Sequence, residues 1–150
     1  MTHFTSSVDI HAPRNTVWEA IADVRRHSDW MMDAAEVRLT SEQTSGVGTT
    51  FDCETRIGPL RTLDQMAVTE WEEGRLMGVT HHGIVTGIGR FRLEDRNDNE
   101  TTFTWEEDLS FPWWAGGRLT ATLASPILSL IWRRNLQRLA AMIEGQREET

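Results

Sequence analysis

The chain has no lysine: all 15 of its Lys/Arg-class residues are arginines. Schiff-base chemistry and a lysine nucleophile or base are therefore excluded. Tyrosine is also absent. A single cysteine, Cys53, precludes an internal disulfide and suits a reducing compartment. The start of the chain, "MTHFTSSVDIHAPR", lacks the charged-then-apolar pattern of a signal peptide. The longest uncharged run, Leu119 to Trp132, is too short to span a bilayer and contains Pro126. These absences predict a cytoplasmic protein with no stable membrane insertion. Basic residues are outnumbered by 23 acidic ones, giving a net charge of −8. That balance argues against non-specific nucleic-acid binding and disfavours adhesion to anionic membranes.

Several motifs are missing as well. No serine sits in a G-x-S-x-G elbow, and H-E-x-x-H does not occur. "GIVTGIGR" (Gly83 to Arg90) lacks the following helix that a dinucleotide or phosphate loop needs, so its glycines read as strand curvature. No cofactor and no metal site is expected. Repeats, linkers and low-complexity tracts are absent, which predicts one domain over residues 1–150.

What is present is aromatic and periodic, with seven Trp and five Phe. "HFTSSVDI" reads as a first strand. "APRNTVWEAIADV" reads as a helix, with Pro13 at its start and Val17, Ile21 and Val24 recurring on one face. A second short helix is expected from about Arg25 to Trp30. From Ala34 on, alternating segments separated by turns predict six more strands, hairpin-linked and therefore antiparallel. Ser125-Pro126 resembles an N-cap with a first-position proline, and Ile127, Leu128, Ile131, Trp132, Leu136, Leu139 and Ile143 make an apolar stripe. A helix from Ser125 to Glu144, closed by Gly145, would span about 30 Å.

Strand, helix pair, six strands and a long C-terminal helix is the helix-grip order. The sequence resembles the START-like superfamily (SRPBCC), in particular its bacterial polyketide cyclase/dehydrase and lipid-transport branch. The resemblance is carried by "IHAPRNTVWEAIAD" with Trp30, "GVGTTF", "VTEWEEGR", "FTWEEDLSFPWWAGG" and "IWRRNLQRL". It implies an α+β fold in which a seven-stranded curved antiparallel sheet wraps around the C-terminal helix, with two short helices after strand 1. It also implies a cavity between sheet and helix.

Strand faces point to the residues that would line such a cavity. Phe51 and Cys53 share one face, as do Met77, Val79 and His81. Trp105, Glu107 and Leu109 share another, and Phe91 comes from the strand between. Trp30, Trp113, Leu123 and Ile127 complete the expected ligand-binding set. His81 reads as a satisfied histidine or as a polar contact to ligand; its neighbour His82 points the other way, so the two cannot share a metal. Glu107 falls on an apolar face, where it would pair with an arginine such as Arg90 or Arg118, orient a ligand, or act as an acid or base. Cys53 reads as an inert wall residue. Arg133 and Arg134 read as solvent-facing, and Trp18 and Trp132 as core. In "FPWWAGG", Pro112 ends the last strand and one tryptophan is expected to wedge under the helix.

The expected function is binding of a small hydrophobic molecule (lipid, isoprenoid or aromatic polyketide) by a monomer or homodimer. A polyketide cyclase or dehydratase using the same cavity is the alternative, and a surface presenting Trp113-Trp114 to a partner or membrane is a third reading.

Overall fold

The structure, a computed structural model, describes residues 2–149. Strand β1 (Thr2–Ile10) leads into helix α1 (Arg14–Ile21), whose N-cap is Pro13 at φ −60°. A 3₁₀ helix over Val24–Asp29 follows, opened by Asp23, which accepts from the Arg25 amide at 3.0 Å. Strands β2 (Ala34–Leu39), β3 (Thr50–Ile57), β4 (Leu60–Glu72), β5 (Leu76–His82), β6 (Thr86–Asn97) and β7 (Glu100–Ser110) come next, before helix α2 (Gly117–Glu149). The strands form one antiparallel sheet in the order β1-β7-β6-β5-β4-β3-β2. Each hairpin places a strand beside its predecessor, and β1 joins the far edge on β7. This is the helix-grip architecture expected above.

The C-terminal half of α2 seals one end of the concave face. Trp132, Leu136, Leu139 and Ile143 are buried there. Trp132 meets Phe4 of β1 edge-on at 5.0 Å and Trp105 of β7 at 5.6 Å. Trp18 and Trp71 pack edge-to-face, and the Glu73 carboxylate accepts both indole N–H groups at 2.9 and 2.8 Å. That clamp holds α1 on the β4–β5 hairpin.

Helix α2 departs from expectation at both ends. It starts at Gly117, so Ser125 is no cap and Pro126 is interior. Gly116 and Gly117, at φ 96° and 49°, turn the chain from strand to helix, as a glycine pair after Pro112 suggests, and the helix begins there, eight residues before Ser125. After them nothing but Pro126 opposes helix, and an interior proline removes one bond of a long ladder. At the other end Gly145 has no positive φ, and the helix runs on to Glu149. The two tryptophans also differ from expectation. Trp113 and Trp114 lie in a three-residue 3₁₀ turn, 87% and 65% exposed, and neither wedges under the helix. Phe111 packs against the core instead. Among the described residues no helix is long and apolar enough to cross a membrane.

Candidate functional site

Between the concave sheet and the N-terminal half of α2 lies a pocket of about 420 Å³. Period-two alternation builds its walls. Phe51, Cys53, Thr55 and Ile57 come from β3, and Met77, Val79 and His81 from β5. Phe91 comes from β6, and Trp105, Glu107 and Leu109 from β7. Thr120, Ala124, Ile127 and Leu128 of α2 form the roof, with His27, Met31 and Asp33 at one end. The lining is overwhelmingly apolar, the composition of small-molecule sites.

Ten of the thirteen residues anticipated from sequence meet here: Phe51, Cys53, Met77, Val79, His81, Phe91, Trp105, Glu107, Leu109 and Ile127. Three lie elsewhere. Trp30 is fully buried behind the wall, against His27, Phe91, Phe103 and Trp105. Trp113 sits on the outer surface, and Leu123 is 69% exposed because it projects from the outward side of α2.

The polar centre of the pocket is His81 with Glu107. Their side chains approach at 3.2 Å (Nε2 to Oε2), and Trp105 Nε1 donates to Glu107 Oε1 at 2.9 Å. Glu107 is 5% exposed, and its Oε2 is in no well-aligned hydrogen bond despite its nearness to the imidazole. Glu107 therefore pairs with neither Arg90 nor Arg118; Arg90 is taken by Glu70 on the outer face at 2.8 Å. His81 and Glu107 lie two strands apart, and β6 between them is glycine where they meet. Gly87 pairs with both His81 and Leu109, and Gly89 pairs with both Val79 and Glu107. A β-carbon on Gly89 would stand 2.7 Å from Glu107 Oε1. The missing side chain is what lets imidazole and carboxylate reach each other over β6, a role distinct from the curvature expected of these glycines.

Burial pulls the His81 pKa down, but the negative charge of Glu107 3.2 Å away, helped by Asp64, raises it above its ordinary value. Asp33 and Asp64 also face the pocket, and burial lifts both carboxyls above the usual range. Asn135 Nδ2 donates to Asp33 Oδ1 at 2.8 Å, and its Oδ1 accepts from the Met32 amide at 2.8 Å, tying α2 to the chain before β2. Sequence reading passed over Asp33, Asp64 and Asn135, and took Gly89 only as strand curvature. The one available signal was a polar residue inside an apolar helical stripe, at Asn135. Among the described residues no cluster suits a metal ion.

Cys53 lines the wall with its thiol pushed up to about 12, chiefly by burial. With almost no thiolate at pH 8, it should react with iodoacetamide at least ~100-fold more slowly in the native protein than after denaturation. Comparable rates would place the thiol in a different environment.

The sequence matches the family described as polyketide cyclase / dehydrase and lipid transport over residues 1–144. Comparison with curated proteins finds no match. Solved structures share the fold at low identity. TTHA0849 from Thermus thermophilus is 12% identical, with a TM-score of 0.77, covering 97% of this chain and 99% of its own. The Zhui aromatase/cyclase from Streptomyces sp. R1128 is 19% identical, with a TM-score of 0.73 and coverages of 98% and 93%. A START superfamily protein from Mycobacterium smegmatis is 14% identical, with a TM-score of 0.72 and coverages of 98% and 97%.

Proposed function

The chain belongs to the polyketide cyclase/dehydrase and lipid transport family, and on that premise we propose that its pocket encloses a small hydrophobic molecule. The observation that carries this reading is a largely apolar volume of about 420 Å³ whose few polar groups include the paired His81 and Glu107. Affinity comes from burial of ligand surface at ~25 cal/mol per Å², and the His81–Glu107 pair orients a single polar group. Of the lining residues, Phe51, Cys53, Met77, Val79, Phe91, Trp105, Leu109 and Ile127 supply apolar contact. Native mass spectrometry of gently purified protein tests it. We expect a population carrying an added small-molecule mass that solvent extraction removes. A clean unliganded spectrum after incubation with a total lipid extract would count against the reading.

A cyclase or dehydratase is the alternative, favoured by one observation: a raised-pKa histidine beside a buried carboxylate in an apolar pocket. In that reading His81 and Glu107 move protons while the walls hold reacting carbons close. Turnover of a polyketone that survives both His81→Ala and Glu107→Ala would remove it.

A further inference from the structure

The pocket's polar groups have one chemical bias. Asp33, Asp64 and Glu107 present carboxyl groups to it, and no arginine lines it, although the chain carries 15. Histidine supplies the only cationic group, and His81 already faces Glu107. His27, the other lining histidine, is engaged at Nε2 with the Ile21 carbonyl at 2.8 Å, and burial lowers its pKa. Two of the three lining threonines have their hydroxyls engaged: Thr55 donates to Asp64 Oδ2 at 3.3 Å, and Thr120 donates to the Ala115 carbonyl; the third, Thr62, is one neutral hydroxyl set two residues from Asp64. Glu107 Oε2, on a nearly fully buried side chain aimed into the pocket, still has an unfilled acceptor position.

Resting on the proposed function, we propose that the occupant is an uncharged apolar molecule whose hydroxyl donates to the Glu107 carboxylate, and that carboxylate-headed ligands such as fatty acids are rejected. An ionised head group entering this low-dielectric space would face carboxylates with no arginine to neutralise it. A hydroxyl meets an acceptor that lacks an aligned donor.

Three probes of equal chain length separate the possibilities at pH 8: 1-decanol, decanoate and 1-methoxydecane. Binding is followed by quenching of tryptophan fluorescence, with isothermal titration calorimetry as a second readout. Decanol should bind at least tenfold more tightly than decanoate and several-fold more tightly than the ether. Glu107→Gln, which keeps the shape and removes the charge, should narrow the gap between decanol and decanoate. Decanoate binding as well as decanol would overturn the inference and leave the pocket reading standing. Ether binding equal to decanol would overturn the assigned hydroxyl contact. Failure of all three to bind would overturn the pocket reading itself.

A separate observation concerns the outside of α2. From Leu109 to Ile143 the chain has no acidic residue, while Arg118, Arg133, Arg134 and Arg138 fall within it. This segment is therefore net positive in a chain of net charge −8. Leu119, Leu123, Ile127 and Leu130 are all exposed and share one arc of the helix at about 100° per residue. Trp113 and Trp114 stand exposed in the turn just before it. Ile127 also lines the pocket, so this face runs to the pocket's roof.

We infer that this face docks on an anionic lipid surface, with the tryptophans and leucines at the interface and the arginines against headgroups. A second copy is the poorer occupant, because self-pairing would set two helix faces together that carry arginines and no acidic residue of their own. In flotation assays the protein should rise with vesicles of phosphatidylcholine and phosphatidylglycerol at 3:1. It should rise at least fivefold less with phosphatidylcholine alone, and less again as Trp113→Ala/Trp114→Ala or Leu123→Glu. Wild-type protein that stays unbound on anionic vesicles overturns the inference. A solution dimer dissolved by Leu123→Glu also overturns it, since a second copy would then own the face.

Discussion

Trp30→Ala should lower the stability of the protein by about 3–5 kcal/mol, the range for deleting a large buried aromatic. Trp30 is fully buried and sits at the meeting point of the aromatic core. Its ring lies 5.7 Å from His27, 5.7 Å from Phe91, 6.3 Å from Phe103 and 5.9 Å from Trp105. These neighbours come from three elements, the 3₁₀ helix, β6 and β7, so no single shift closes the space left behind. Phe91 and Trp105 also form pocket wall, so the vacancy loosens the pocket from behind. In guanidinium chloride unfolding the midpoint should fall with little change in slope. Trp113→Ala, at the most exposed tryptophan, should stay within about 0.5 kcal/mol of wild type. A Trp30→Ala loss below about 1 kcal/mol would contradict this packing.

Glu107→Gln should move the His81 pKa from above its ordinary value to below it. Burial is the largest influence on His81 and acts downward, and Glu107 is the main influence that outweighs it. Without that charge only Asp64 opposes burial. Gly89→Ala should act in the same direction, because its β-carbon would claim the space of Glu107 Oε1. The linkage follows from the sign of the shift. A histidine with a raised folded-state pKa stabilises fully below its unfolded value, near 6.5, and that contribution fades as pH rises through the folded value. Glu107→Gln should therefore cost most below pH 6.5, by roughly 1–3 kcal/mol, and progressively less in alkali. His27, whose pKa is lowered by burial, contributes the opposite trend and loses stability as pH falls below 6.5. NMR titration of the imidazole resonances separates the two. An unchanged His81 titration in Glu107→Gln would show that the carboxylate does not govern it.

Strand periodicity was the most informative signal in this sequence. Alternation alone put Met77, Val79 and His81 on one inward face and Trp105, Glu107 and Leu109 on another, as the structure has them. Which residues meet across strands was not legible, because β5 and β7 touch only through the register of β6. The meeting of His81 and Glu107 depends on Gly87 and Gly89 falling opposite them, and no local pattern announces that. Asp33 reaches the pocket from the connection before β2, and Asp64 shares the inward face of β4 with Thr62 and Met66, an alternation left unused in the sequence reading. The turn at Gly116-Gly117 was legible, but the start of α2 was misplaced because Ser125-Pro126 has the chemistry of a helix entry, whereas the helix begins directly at the glycine pair. Its outward apolar arc was equally hidden, since a stripe of leucines looks the same whether it packs inside or remains outside.

The central claim, that the pocket itself binds an apolar molecule, is tested most directly with N-phenyl-1-naphthylamine, an uncharged dye that brightens in apolar surroundings. Titration should show one saturable site in the wild-type protein. Cys53→Phe/Val79→Trp, which adds bulk to two walls of the pocket, should abolish that site while circular dichroism shows the fold retained. Equal brightening in both proteins would mean that the dye sits on the exposed face of α2, and would contradict the assignment of the pocket as the binding site.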